Sequence, residues 1–343
     1  MPSHSVDSAA SRAGRHGQES SALSGAAKSH RLQPRRGGHG GRELKQVPEV
    51  NPSPITDSNR AIEQLLGERL QRLEQVLCAD VLTYVGPIAF GADTVVRDAC
   101  ERRTNRRQKL AFILETHGGY VETTERIANT LRNAYEEVDF FVPNFAMSAG
   151  TVLVMSGDAI WMNYFSTLGP IDPQVLRPES DHLTPATGYL VQYERLVEKS
   201  RNGQLSTAEL AYLIEKFDPA DLYAYEQERE LSVSLLKQWL VRYKFKNWKK
   251  TETRGKCVTD AMKEERAEEI ARSLNNPERW HSHSRGINME KLREELKLVI
   301  EDFDAKCDVR DALKRYYELL VDYLARRGHQ GAVHTHSWYR QTV

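Results

Sequence analysis

Cysteine is scarce in this chain, and its spacing excludes more than its number does. The four, Cys78, Cys100, Cys257 and Cys307, lie far apart and form no CxxC pair. That pattern argues against a zinc knuckle and a disulfide framework, and it suits a reducing, cytoplasmic compartment. Net charge is also missing, because 48 Lys and Arg balance 48 Asp and Glu. Such a balance gives no global attraction to nucleic acid or anionic lipid. No run approaches the roughly 20 apolar residues of a membrane-spanning helix, and the N-terminus lacks the apolar centre of a signal peptide. Peripheral membrane association through a partner is the one membrane role left open. Neither GxxxxGK[ST] nor GxGxxG occurs, so the glycine turn at 118–119 is not a nucleotide-binding loop of either kind. There is no repeat of fixed period.

What is present falls into segments. Residues 1–55 are rich in Ser, Gly, His and Arg and nearly devoid of periodic apolar positions, with eight Lys and Arg against four Asp and Glu up to Glu49. They read as a disordered, solvated basic tail. From Ser58 apolar residues recur at helical spacing through Leu77. Over 56–184 strand-like runs (ADVLTYVG, KLAFILET, EVDFFVPN, DAIWMN) alternate with helical ones (DTVVRDACERR, YVETTERIANTLRN, SAGTVLVMSG). Alternation of that kind predicts an α/β fold with a mainly parallel sheet and right-handed crossovers. Residues 185–327 read as mostly helical, and 328–343 as a flexible tail in which His334 and His336 are incidental.

The chemistry concentrates in two loops. In THGGYVETTERIANTLRN, Gly118 and Gly119 sit between a buried-type strand and a strong helix. Glycine there allows unusual backbone angles and close approach of a ligand to the main chain. About thirty residues later Ser148 opens the apolar helix of AMSAGTVLVMSG; taken alone, it could simply be an N-cap. Loops after adjacent parallel strands emerge on one edge of a sheet, so the two features should converge. The amides of Gly118, Gly119 and Ala149 would then form an oxyanion hole around a carbonyl attacked by Ser148, favoured by the helix N-terminus.

The segments ETHGGYVETTERIANTLRN and VPNFAMSAGTVLVMSGDAIWMNYFSTLGPIDPQV resemble the Clp-protease/crotonase superfold. The nearer likeness is to the serine dehydrogenase proteinase family, relatives of signal peptide peptidase A. Clp subunits carry a Pro-Gly-Gly turn and then a nucleophile segment in the same order; His117 stands here in place of the proline. The resemblance implies a Clp/crotonase-like core, peptide-bond hydrolysis through an acyl-enzyme on Ser148, a peptide or protein substrate, and a homo-oligomer. It implies no metal and no organic cofactor. Any unfolding motor would be a separate chain.

A serine needs a base. Clp subunits carry a histidine shortly after the nucleophile, but the stretch here, STLGPIDPQV, has none. Signal peptide peptidase A relatives use a lysine further on, which points to Lys199, with Lys216 as a second choice. A lysine buried enough to lose its charge can act as base; a solvated surface charge is the plainer reading. His281 and His283 in WHSHSRGI offer a base from the helical region, or a loop anchored by Trp280 whose His and Ser cap the helix near Asn288. Asp172 could orient a base or staple the GPIDPQ turn. Two rivals remain: a catalytically inactive Clp-like scaffold, favoured by the missing histidine, and an α/β-hydrolase-type esterase, suggested by the likeness of AMSAG to GxSxG.

Overall fold

The run KLAFILE shows how the core is built. In the computed structural model, which describes residues 54–176, 183–251 and 255–342, its side chains alternate between two separate apolar cores. Leu110, Phe112 and Leu114 enter one; Ala111 and Ile113 enter the other. A strand apolar on both faces must lie mid-sheet between two layers of helices. The basic tail expected over 1–55 lies almost wholly outside the described residues.

The strands are β1 (Asp80–Val85), β2 (Lys109–Glu115), β3 (Glu137–Phe141), β4 (Phe145–Ala146), β5 (Ala159–Met162), β6 (Thr167–Leu168), β7 (Gln174–Leu176), β8 (Leu183–Pro185), β9 (Ile287–Asn288), β10 (Glu301–Asp302), β11 (Ala332–Thr335) and β12 (Trp338–Gln341). The helices are α1 (Pro54–Leu77), α2 (Ala92–Arg102), α3 (Val121–Ala134), α4 (Ala149–Val154), α5 (Ala186–Arg201), α6 (Thr207–Lys216), α7 (Pro219–Trp239), α8 (Asp260–Leu274), α9 (Pro277–Trp280), α10 (Met289–Glu294) and α11 (Cys307–Arg327). A π-helical turn, Leu240–Lys244, extends α7.

The main sheet runs β10-β5-β3-β2-β1-β11-β12. Its members from β10 to β1 are parallel, and β11 and β12 each pair antiparallel. Helices α2, α3, α4, α7 and α8 contribute to the core on one face. Helices α1 and α11 cover the other, where Leu66, Leu70 and Leu73 meet Leu313, Tyr316 and Leu320. The expected α/β core followed by a mostly helical region is present. A second, three-stranded sheet, β4-β6-β9, carries the functional loops.

The C-terminal stretch departs from expectation. Instead of a flexible tail over 328–343, a helix C-cap at Gly328 (φ 65°) turns the chain back, and β11 pairs with β1 while β12 pairs with β11. Ala332 and Val333 are fully buried there. His334 is not incidental: it is buried, with Nδ1 2.9 Å from the Tyr316 hydroxyl, and that hydroxyl donates to Thr83 Oγ1 at 2.9 Å. The hydroxyl thus bridges the histidine and the threonine, and it locks strand β11 to α11 and β1.

Candidate active site

The two glycine-containing and serine-containing loops pair directly. Thr116 N–H donates to Phe145 O, and Met147 N–H donates to Thr116 O, at 3.1 and 2.9 Å. This pairing brings Gly118 against Ser148. A Cβ built on Gly118 would lie 2.8 Å from both Ser148 Cβ and Met147 O, and the residue has φ +103°. No other residue type fits this position without displacing the serine. Gly119, at φ +147°, is excluded from change by the backbone on its other side, since its Cβ would stand 2.2 Å from Ile88 O.

Ser148 is held at φ 53° and ψ −121°, in a region that non-glycine residues rarely enter. Such a conformation costs about 1–3 kcal/mol and persists only where neighbours enforce it. Thr151, three residues on, ties the segment before the serine to Gly169. Its buried hydroxyl lies 2.8 Å from Ala146 O and 2.9 Å from Gly169 O, and accepts from Gly169 N–H at 2.9 Å. The Ser148 hydroxyl makes no capping bond to α4, so the N-cap reading does not hold. Helix α4 has only six residues, which leaves little dipole for the expected assistance from its N-terminus.

The backbone donors divide. Gly118 N–H is taken by Thr116 Oγ1 at 3.0 Å, so it is not the free oxyanion donor that the sequence suggests. Among the described residues, no acceptor takes the amides of Gly119 and Ala149. Two unpaired N–H groups thus flank the serine, one from each loop.

The small sheet supplies the remaining groups. Phe145 and Ala146 pair in parallel with Thr167 and Leu168, which pair antiparallel with Asn288 and Ile287. Carried past Leu168 and back from Ile287, this register sets Asp172 opposite His283. There His283 Nδ1 lies 2.9 Å from Asp172 Oδ1, with the histidine side chain 9% exposed and the aspartate 1%. With Nδ1–H donating to the carboxylate, Nε2 carries the ring's lone pair. The second Asp172 oxygen, Oδ2, is buried and unpartnered among the described residues. Ser148 leaves β4 at the same end of this sheet: Met147 packs on Gly169, where an added Cβ would be 3.2 Å from Met147 Cα. Ile171 N–H donates to Leu274 O at 3.1 Å, fixing the Asp172 loop on α8. Trp280, buried and donating Nε1–H to Ser273 O at 2.7 Å, anchors the histidine loop.

Other predicted groups fall elsewhere. Lys199 is half exposed, with Nζ 2.6 Å from Glu209. A half-exposed lysine in a surface ion pair lacks the burial that a general base of this kind requires, so Lys199 is corrected to a surface residue. Lys216 is likewise half exposed, 3.1 Å from Glu215. His281 is exposed at φ 62°. The helix near Asn288 is capped by Asn288 itself, which accepts from Lys291 N–H at 3.0 Å; no capping by the preceding His and Ser is involved. His117, exposed, lies with its ring 4.5 Å from that of Phe145. The α/β-hydrolase elbow is not formed, because main-sheet strand β3 ends at Phe141 and the serine follows a strand of the other sheet. Among the described residues no cluster of His, Cys, Asp or Glu has the makings of a metal site, and no helix is long and apolar enough to cross a membrane. The braces Thr116 and Thr151 were not singled out from sequence; the only local signal is their small polar side chains beside the turn and the serine.

A glycine turn and a serine on paired loops at the edge of a parallel sheet are the arrangement of a ClpP-like core. Residues 91–261 match the family described as ClpP-like SDH-type serine proteinase, and the chain belongs to that family. The match spans Gly118, Gly119, Ser148 and Asp172 and stops short of His283. Two uncharacterized proteins of Methanocaldococcus jannaschii are similar: one is 25% identical over 240 residues, 68% of each chain, and the other 35% identical over 74 residues, 22% of this chain and 26% of that protein. Among solved structures, ClpP1 from Listeria monocytogenes is 10% identical over 68% of this chain and 97% of its own, with a TM-score of 0.37. A membrane-bound stomatin-specific protease is 15% identical over 42% of this chain and 73% of its own, with a TM-score of 0.27.

Proposed function

We propose that this protein is a serine peptidase that hydrolyses peptide bonds through an acyl-enzyme on Ser148, with His283 as base and Asp172 as the group that orients it. The observation that carries this reading is the 2.9 Å His283–Asp172 pair, buried at the end of the small sheet from which Ser148 also emerges. In the first step His283 Nε2 takes the hydroxyl proton while Ser148 Oγ bonds to the substrate carbonyl carbon. The oxygen of the tetrahedral intermediate accepts from Gly119 and Ala149 N–H, which are bound to nothing else among the described residues. Collapse expels the amine, which receives the proton from His283, and leaves the acyl ester. Water, deprotonated by the same Nε2, then releases the acid. Asp172 keeps the proton on Nδ1 and stabilises the imidazolium that forms. The histidine comes from beyond the α/β segment, so a base is available without one shortly after the serine. The substrate is a peptide or protein, and no metal or organic cofactor takes part. A homo-oligomer remains part of this reading by family likeness.

An alkyl fluorophosphonate tests it. Ser148 is expected to be labelled, with labelling abolished by Ser148→Ala, reduced at least 10²-fold by His283→Ala and unchanged by Lys199→Ala. Loss of labelling on Lys199→Ala would transfer the base to that lysine. A folded protein that is not labelled would favour the inactive scaffold.

A further inference from the structure

Phe90 and Tyr120 are two of the most exposed large apolar side chains beside the site, at 73% and 49% exposure, and they lie against each other. Their rings stack with centroids 4.1 Å apart and planes 22° apart. Scattered exposed apolar residues are ordinary on any surface; a stacked pair beside the glycine turn is not scattered. Tyr120 directly follows Gly119, whose amide has no acceptor among the described residues. It stands two residues beyond Gly118, about 7 Å along an extended chain. Phe90 is fixed to the same place by the backbone. Ile88 N–H donates to Gly118 O at 2.8 Å and Tyr120 N–H donates to Ile88 O at 2.9 Å, so segment 88–90 runs beside 118–120. Gly91, at φ +94° with open space around its missing Cβ, then turns the chain into α2 and leaves Phe90 projecting.

We infer that the Phe90–Tyr120 stack is a specificity surface that receives a bulky apolar side chain of the peptide, one or two residues from the scissile bond. This rests on the serine peptidase reading above. A substrate whose carbonyl oxygen meets Gly119 N–H and whose carbonyl carbon meets Ser148 must pass its neighbouring residues over this segment. A side chain there covers two aromatic faces that are otherwise wet, and releases their hydration. A carboxylate in the same position would give up water for rings and receive no donor from them. Of the nearby charges, Asp93 and Arg126 are paired with each other at 2.5 Å, and Glu122, exposed two residues beyond Tyr120, repels rather than attracts a carboxylate.

Peptidyl diphenyl phosphonates provide the test, because they report on binding and serine attack without requiring turnover. One carries benzyl side chains at its two residues nearest phosphorus, the other carboxymethyl. The benzyl probe is expected to label Ser148 about 10–100-fold faster, the range set by burying one large apolar side chain. Phe90→Ser and Tyr120→Ser should each cut the benzyl rate and bring the two probes to within about threefold of one another. Both side chains project from the surface, so thermal unfolding should be little altered. Equal labelling by the two probes in the unsubstituted protein would overturn this assignment alone. So would a preference that survives both substitutions. If the simple alkyl fluorophosphonate fails to label Ser148 at all, the peptidase reading falls, and this surface with it.

Discussion

Replacing Asp172 by Asn separates a working His–Asp pair from a merely structural one. The side chain is buried, lies 2.9 Å from His283 Nδ1, and has a second oxygen unpartnered among the described residues. An amide at this position can present N–H to the ring, which drives the histidine proton to Nε2 and removes the lone pair that Ser148 requires. Where a serine protease histidine is held in the wrong tautomer, turnover falls by about 10⁴. At 1.36 kcal/mol per factor of ten, a loss of about 10³–10⁴ in fluorophosphonate labelling corresponds to about 4–5.5 kcal/mol of activation free energy. Stability should move far less, by about 1 kcal/mol in either direction, because the substitution removes a buried charge and retains a hydrogen-bonding group of the same shape. His283→Ala behaves differently. It strands the carboxylate without a partner, which costs about 3–5 kcal/mol. Combining it with Asp172→Asn should restore most of that stability and none of the labelling. The assay is therefore paired: labelling rate of Ser148, and denaturant unfolding, on the two single variants and the double. A folded Asp172→Asn protein that labels within about threefold of the parent rate would refute the orienting role and remove the pair from the reaction.

Two further outcomes follow from particular contacts. Gly118→Val puts a branched side chain where even a Cβ would sit 2.8 Å from Ser148 Cβ and Met147 O; labelling should fall below detection while far-ultraviolet circular dichroism stays near the parent's, and retained labelling would remove the turn from the mechanism. His334 is pushed down from 6.5 to about 3 by burial. The unfolded chain therefore binds a proton there before the folded one does, so the stability linked to this group is whole above pH 6.5 and is lost as pH falls toward 3. At 1.36 kcal/mol per unit, unfolding at pH 4 should be easier by roughly 2–4 kcal/mol, and His334→Gln should flatten that dependence; an unchanged slope would rule the residue out as its source.

Local signals in the sequence carried a good deal of this. The continuous apolar centre of KLAFILE, the helical spacing of VETTERIANTLRN and the glycines between them specify β2, α3 and the turn, because strand period, helix period and positive φ are properties of a few adjacent residues. Ser148 was legible for the same reason. Its unusual backbone conformation is not, since the loop around it is held by other segments, Thr116 pairing with Phe145 and Met147, and Gly169 packing on Met147. Strands β4, β6 and β9 have two residues each, too few to show any period, yet they bring Asp172 to His283 across 111 residues of chain. Lys199 attracted attention by its position after the serine, but burial decides whether a lysine can lose its proton, and α5 leaves it half exposed on Glu209. The last strands are not legible because AVHT and WYRQ lack strong alternation, and the burial of AVHT comes from β1, α2 and α11, elements distant in sequence.

The sequence by itself therefore determined the two loops, the serine and the glycines, through conformational preferences that act within a turn or two of backbone. The tertiary structure alone decided which histidine meets which carboxylate, which amides stay free and which lysine stays wet, because each depends on desolvation and contact between segments that only the packed sheets bring together.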